Sequence, residues 1–193
     1  MTSMFFVRHA RPNYSWEDDR TRPLSAEGIA DCQYVCNTLQ NISLDYAISS
    51  PYIRSIKTIE KCAILHNLEI YFDERYRERE KGKNGNNKEM FQKRWADFNF
   101  HEDGGESLLM VQQRNIEALT ELLTTHQGQN ILLGTHGTLL TTILNYYDNS
   151  YNCDDFLRII DYMPYIIRLD FEGLNCINKE ELLIVKKEYT GNH

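Results

Sequence analysis

Arg8 and His9 follow directly on an apolar run, Phe5-Phe6-Val7. A guanidinium beside an imidazole at the end of a buried run is costly unless it is solvated or meets an anion. Arg54, in "SSPYIRS", and His136, in "GTHG", have the same local setting: each lies just beyond an apolar run, where a helical pattern opens. Guanidiniums fork onto oxyanions. A neutral imidazole nitrogen is a competent nucleophile near neutral pH, since its reference pKa is about 6.5. Backbone N–H groups at the helix starts near Pro51 and Gly137 would add further donors. Arg8, His9, Arg54 and His136 together make a site for a phosphate-like dianion. Taken singly, each reads as a solvated or structural residue; the repetition at three junctions favours chemistry.

If a bound dianion of this kind were a phosphate ester undergoing cleavage, the leaving oxygen would need a proton, and hence a carboxylic acid close by. Glu74, Glu78, Glu80 and Glu106 are the candidates.

These residues converge only if their strands are neighbours. The chain reads as strands alternating with helices: strands at 4–7, 44–49, 68–72 and 130–136, with helices between them. Ser25 is placed to cap a helix running to about Gln40, and Pro51 to sit in the first turn of one running to about His66. Longer helical patterns cover about 106–125 and 137–146, and two alternating runs, 165–171 and 181–189, predict an antiparallel hairpin. The expected fold is α/β: a three-layer α/β/α sandwich with a mostly parallel central sheet and an antiparallel C-terminal hairpin. In such sheets ligands gather beyond the carboxyl ends of the strands, where Arg8, His9, Arg54 and His136 all lie. Residues 73–105, rich in Arg, Glu, Lys, Asn and Gly, read as a polar, weakly structured, lid-like insertion in one domain spanning 1–193.

Composition narrows the function classes. The 193 residues carry a net charge of −7, so a nucleic-acid partner is not expected, and positive charge for an anion must be concentrated locally. No window is apolar enough to cross a membrane, and no secretory leader is evident, which predicts a cytoplasmic protein. The five cysteines match no metal or redox spacing. Ile29, Cys32, Cys36 and Leu39 instead share one helical stripe, and the cysteines are expected to be small core residues.

"VRHA", "RPLSAEG", "AISSPYIRSIKT", "GGES" and "GTHG", in that order, resemble the histidine phosphatase superfamily, also called phosphoglycerate mutase-like, over about residues 4–171. The resemblance implies that His9 is the nucleophile and becomes a phosphohistidine, with its other ring nitrogen held by a backbone carbonyl. Arg8 and Arg54 would clamp phosphoryl oxygens, and His136 would donate to the phosphoryl group. The family's Glu-x-x-x-Gly spacing fits Glu78 and Gly82 in "ERYREREKG", which makes Glu78 the preferred acid; Glu106 in "GGES" would be structural or a secondary acid. Substrate binding falls to Arg8, Arg54, Asn13, Ser15 and Gly137. Asn13 and Ser15 enter because the family's Arg-His-Gly-x-Thr-x-x-Asn reads Ala10, Pro12 and Ser15 here, and Pro12 cannot donate a hydrogen bond.

The implied activity is metal- and cofactor-independent hydrolysis of a small phosphate ester or other phosphorylated substrate. Mutase-type transfer and a silent phospho-ligand-binding module are the alternatives. Mutases of this family are longer, with enclosing insertions, which favours hydrolysis; the presence of both histidines, both arginines and an acid argues against a silent module. Oligomeric state is left open.

Overall fold

The computed structural model describes residues 1–83 and 86–191. Asn84 and Gly85, in the polar stretch of the 73–105 segment, and residues 192 and 193 lie outside the described residues. Six strands form one sheet in the order β3-β2-β4-β1-β5-β6. They are β1 (Thr2–Arg8), β2 (Tyr46–Ser49), β3 (Ile70–Phe72), β4 (Asn130–Thr135), β5 (Tyr162–Glu172) and β6 (Asn175–Lys186). β1 to β4 run parallel, and β5 pairs antiparallel with both β1 and β6. The antiparallel portion thus begins at β1, not at the C-terminal hairpin alone.

The helices are α1 (Ala26–Leu39), α2 (Ile53–Leu65), α3 (Lys88–Ala96), α4 (Leu108–Thr125), α5 (Gly137–Tyr147) and α6 (Cys153–Ile160). Successive side chains of β1 point to opposite faces, and the two faces have different cores. Met4 and Phe6 pack with α4, α5 and the inward residues of β5. Phe5 and Val7 pack with Val35, Cys36 and Leu39 of α1 and Ile59, Cys62 and Ala63 of α2. The sheet is therefore the middle layer of a three-layer α/β/α sandwich.

Local chemistry sets the helix starts. The Ser25 side chain accepts from Gly28 N–H, as expected of an N-cap. Ser25 also donates, through N–H and hydroxyl, to the Arg11 carbonyl at 2.9 and 3.1 Å. Gly28 lies under that carbonyl: a Cβ there would meet Arg11 O at 2.2 Å. The "RPLSAEG" segment thus pins the loop leaving β1 against the start of α1.

Several boundaries differ from expectation. Pro51 precedes the N-cap of α2, which is Tyr52, so it is not in the first turn. Ile29 is exposed, so the apolar stripe of α1 begins at Cys32. Cys32, Cys36 and Cys62 are buried, but Cys153 and Cys176 are only half-buried. The polar 73–105 segment is not weakly structured throughout. It contains α3, whose N-cap Asn87 accepts from Met90 N–H at 3.0 Å. It also holds a buried ion cluster in which Glu102 pairs with Arg79 and Arg94. α6 follows a capping box between Asn152 and Asp155.

Candidate active site

Three adjacent strands, β2, β4 and β1, end level with one another. Arg8 is in register with Thr135, and Ser49 with Gly134. The chain continues the alignment beyond the sheet: His9 N–H donates to Thr135 O at 3.1 Å, and Ser50 N–H to Gly134 O at 3.0 Å. Arg8, His9 and His136 therefore meet at one edge, and Arg54 enters from the first turn of α2. Arg8, His9, Arg54, Glu78 and Gly137 line one cavity of about 820 Å³, counting its open mouth. His136 is fully buried beside them, its ring centroid 5.3 Å from that of His9.

The two imidazoles are held in complementary ways. His9 Nδ1 lies 2.8 Å from the Ala10 carbonyl. Only a protonated Nδ1 can make that bond, so the lone pair sits on Nε2. Around His136 the polarity is reversed. Its Nε2 lies 2.7 Å from Ser50 Oγ, which itself accepts from Tyr52 N–H at 3.3 Å. Among the described residues the Ser50 hydroxyl proton has no other acceptor, so it is assigned to Nε2, which leaves the ring proton on Nδ1. His136 Nδ1 has no protein partner and lies 4.0 Å from Glu78 Oε2. Burial, then the charges of Arg54 and Arg8, push the His9 pKa well below its ordinary value. Burial, Arg54 and His9 do the same to His136. Both rings stay neutral: one offers a lone pair, the other an N–H.

The arginines are positioned before any ligand arrives. Arg8 Nη1 donates to the carbonyls of Ile159 and Tyr162, at 3.0 and 2.6 Å, and its buried Nε has no partner. Gly137 permits this close approach: a Cβ there would stand 3.1 Å from Arg8 Nε. Arg54 lies 5.0 Å above the Tyr52 ring and is paired with Asp19 at 3.3 Å. Asp19 Oδ1 also holds Arg22 at 2.5 Å. Thr58 ties α2 to the loop after His9: its hydroxyl donates to Arg54 O at 2.7 Å and accepts from Ala10 N–H at 2.9 Å.

The carboxylate candidates separate. Glu78 lines the cavity, with Oε1 fixed by Arg79 N–H at 2.8 Å. Glu106 is turned inward and accepts from Arg77, Arg114 and Glu80 N–H. Burial would raise its pKa, but the Arg114 and Arg77 guanidiniums and the Glu80 N–H outweigh that and hold the carboxyl below its ordinary value. Glu74 pairs with Arg20 outside the cavity. Glu80 is exposed and pairs with Arg77. Asn13 and Ser15 do not line the cavity; the Asn13 side chain accepts from Ser15 N–H and hydroxyl at 3.1 and 2.7 Å, and satisfies a local turn. Among the described residues, no group of three or more His, Cys, Asp or Glu could hold a metal ion.

Comparison with known proteins settles the lineage. The family model for the histidine phosphatase superfamily (branch 1) matches residues 4–172. The chain belongs to that superfamily.

Two curated relatives are each named "Probable phosphoglycerate mutase GpmB". That of Salmonella choleraesuis is 26% identical over 166 residues, and that of Escherichia fergusonii 27% identical over 159. Each match covers 75% of this chain and 74% of the relative. Among solved structures, Bacillus stearothermophilus YhfR superposes with a TM-score of 0.74 at 21% identity, covering 100% of this chain and 98% of its own. Entamoeba histolytica phosphoserine phosphatase, solved with 3-phosphoglyceric acid, gives 0.74 at 18% identity and covers 100% of both chains. Mycobacterial glucosyl-3-phosphoglycerate phosphatase, solved with inorganic phosphate, gives 0.73 at 16%, covering 96% of this chain and 97% of its own. These likenesses establish the histidine phosphatase fold.

Sequence reasoning missed Ser50, Thr58, Asp19, Arg22 and the cavity-lining Tyr189. Ser50 and Thr58 lie inside the quoted "AISSPYIRSIKT" motif, but their roles, like those of the others, come from contacts between distant segments, which no local pattern signals.

Proposed function

We propose that the protein is a metal-independent phosphomonoester hydrolase acting on a small phosphorylated substrate through a phosphohistidine on His9. The observation that carries this reading is the Nδ1–Ala10 carbonyl bond. It leaves the His9 Nε2 lone pair in a cavity whose walls include Arg8 and Arg54, with Glu78 among the other lining residues.

In the first half-reaction Nε2 attacks phosphorus, the ester P–O bond breaks, and protonated Glu78 gives its proton to the leaving oxygen. Arg8, Arg54 and the His136 Nδ1–H take up the charge spread over the equatorial oxygens. In the second, Glu78 removes a proton from water, the water oxygen bonds to phosphorus, and the N–P bond breaks. Phosphate and free His9 result. The guanidiniums supply the positive charge that a divalent cation supplies in other phosphoryl transfers, and the neutral His136 adds an N–H donor.

The phosphatase names of neighbours that match nearly the whole chain support hydrolysis. The mutase name of the curated relatives supports a second reading, in which the phosphoryl group returns to a phosphoglycerate. Incubation with p-nitrophenyl phosphate and excess chelator tests the first. We expect turnover in wild type and its loss by about 10³-fold or more in His9→Ala, the scale seen when a covalent nucleophile is removed. Turnover undiminished in His9→Ala would sink it. With 3-phosphoglycerate, release of inorganic phosphate supports hydrolysis, and formation of 2-phosphoglycerate supports transfer.

A further inference from the structure

The cavity has two unlike sides. Toward Arg8, His9 and Arg54 it is built for the phosphoryl group. The rest of the lining includes Tyr14, Phe91, Phe156, Ile160 and Tyr189, from four separate parts of the chain. Phe91 of α3 and Phe156 of α6 meet edge to face at 5.0 Å. Tyr14, from the loop after β1, and Tyr189, beyond β6, do so at 5.8 Å. Tyr189 packs against the cluster formed by Phe91, Phe156 and Ile160, which joins the two pairs into one wall. Both tyrosine hydroxyls are turned to protein acceptors, Tyr14 to Met163 Sδ at 3.4 Å and Tyr189 to the Gly191 carbonyl at 3.3 Å. What they offer a ligand is ring surface.

The charged side chains beyond the phosphoryl clamp are already engaged. Arg22 is held by Asp19. Arg79 is held by Glu102, Asn86 and the carbonyls of Glu80 and Glu106. Lys81, which also lines the cavity, has a partner too, so a substrate carboxylate would have to displace an existing pairing. An aromatic ring would displace none. Aromatic rings favour edge-to-face and offset contacts with their own kind, and burial of an apolar body in such a cleft adds affinity without new charges.

We propose that the preferred substrates are phosphomonoesters whose alcohol carries an aromatic ring, seated against Tyr14, Phe91, Phe156 and Tyr189. The inference rests on the phosphomonoesterase reading above and specifies its leaving group. The bond broken is the same ester P–O bond, and the products are the aryl-bearing alcohol and inorganic phosphate.

The test compares primary-alcohol esters, so that leaving-group basicity varies little: 2-phenylethyl phosphate against O-phosphoserine and 3-phosphoglycerate. We expect kcat/KM for the phenylethyl ester to exceed the other two by about tenfold or more, the ratio expected for burying one ring-sized apolar body. Tyr14→Ser and Tyr189→Ser should shrink that preference, Tyr189→Phe should keep it, and inhibition by inorganic phosphate should be the same in all. Equal or better turnover of phosphoserine or 3-phosphoglycerate, or a preference untouched by both serine variants, would overturn the proposal. Calorimetry on the His9→Ala protein separates the two readings. Tighter binding of 2-phenylethyl phosphate than of ethyl phosphate, with no ester turned over by wild type, would uphold the aromatic site and reject the hydrolase.

Discussion

At the scale of single residues, the two imidazoles do opposite things because their second nitrogens meet opposite partners. A carbonyl takes the Nδ1–H of His9; the Ser50 hydroxyl, whose proton has no other acceptor among the described residues, gives it to Nε2 of His136. In the proposed mechanism Ser50 is thus a positioning residue, acting on the phosphoryl group through His136. Ser50→Ala should lower kcat by about 10- to 100-fold, because the His136 proton is then no longer fixed on Nδ1. Ser50→Thr, which keeps the hydroxyl, should restore most of it. If Ser50→Ala folds normally and leaves kcat and its pH profile unchanged, the tautomer is not set by Ser50. Glu78 makes a different prediction. Glu78→Gln should slow alkyl phosphates by about 10² to 10⁴, while p-nitrophenyl phosphate, whose leaving group needs little protonation, falls far less. Equal slowing of both would point to another acid.

At the scale of elements, the same carboxylate chemistry serves structure. Glu106 sits where the 73–105 segment rejoins the body, between Arg77, Arg114 and the Glu80 N–H. Removing one member of a buried ion cluster leaves the rest uncompensated. Glu106→Ala should cost about 3–5 kcal/mol in urea unfolding, yet leave the ratio of alkyl to aryl phosphate rates unchanged. A change in that ratio without a loss of stability would make Glu106 an acid. This segment also marks where the sequence was hardest to read. α3 buries only Met90, Phe91 and Arg94, so its apolar stripe is too sparse to announce a helix, and its Asn87 cap is one polar residue among many. α6 did carry a signal, the capping box at Asn152 and Asp155, but its eight residues are too short for a periodic pattern. The parallel strands β1, β2 and β4 were legible because they are buried on both faces and so appear as plain apolar runs. Arg8, His9, Arg54 and His136 stood out because each interrupts or follows such a run. Asn13 and Ser15 were placed in the site by position alone, and a local turn claims their side chains.

At the scale of the whole molecule, the site rests on two histidines that the fold keeps uncharged. Their pKa values are lowered by burial and by Arg54 and neighbouring charges. In the unfolded chain they titrate near 6.5, so below that pH the unfolded state binds protons that the folded state does not. Stability must then fall as pH drops below about 6.5, by at most roughly 1.4 kcal/mol per pH unit for each histidine. Above about pH 7 both states are neutral at these positions and the two histidines contribute no slope. Urea midpoints at pH 7.5 and 5.5 check this: wild type should lose more stability than His9→Asn over that interval. Equal losses would mean that His9 is protonated in the folded protein. The net charge of −7 is compatible with an anionic substrate because Arg8, at the end of β1, and Arg54, in the first turn of α2, concentrate positive charge in one cavity.

The Asp19 carboxylate between Arg22 and Arg54 gives that local charge a further meaning. The resting clamp already holds an anion, supplied by the protein. Under the proposed function, phosphate binding would exchange one anion for another, and the return of the first would help product leave. Such a site would resist trapping by the phosphate it makes, at the expense of some affinity for what it cleaves. Asp19→Asn should accordingly tighten inhibition by inorganic phosphate and lower KM, with product release becoming the slow step. Weaker phosphate inhibition in that variant would show that Asp19 supports the clamp and does not compete for it.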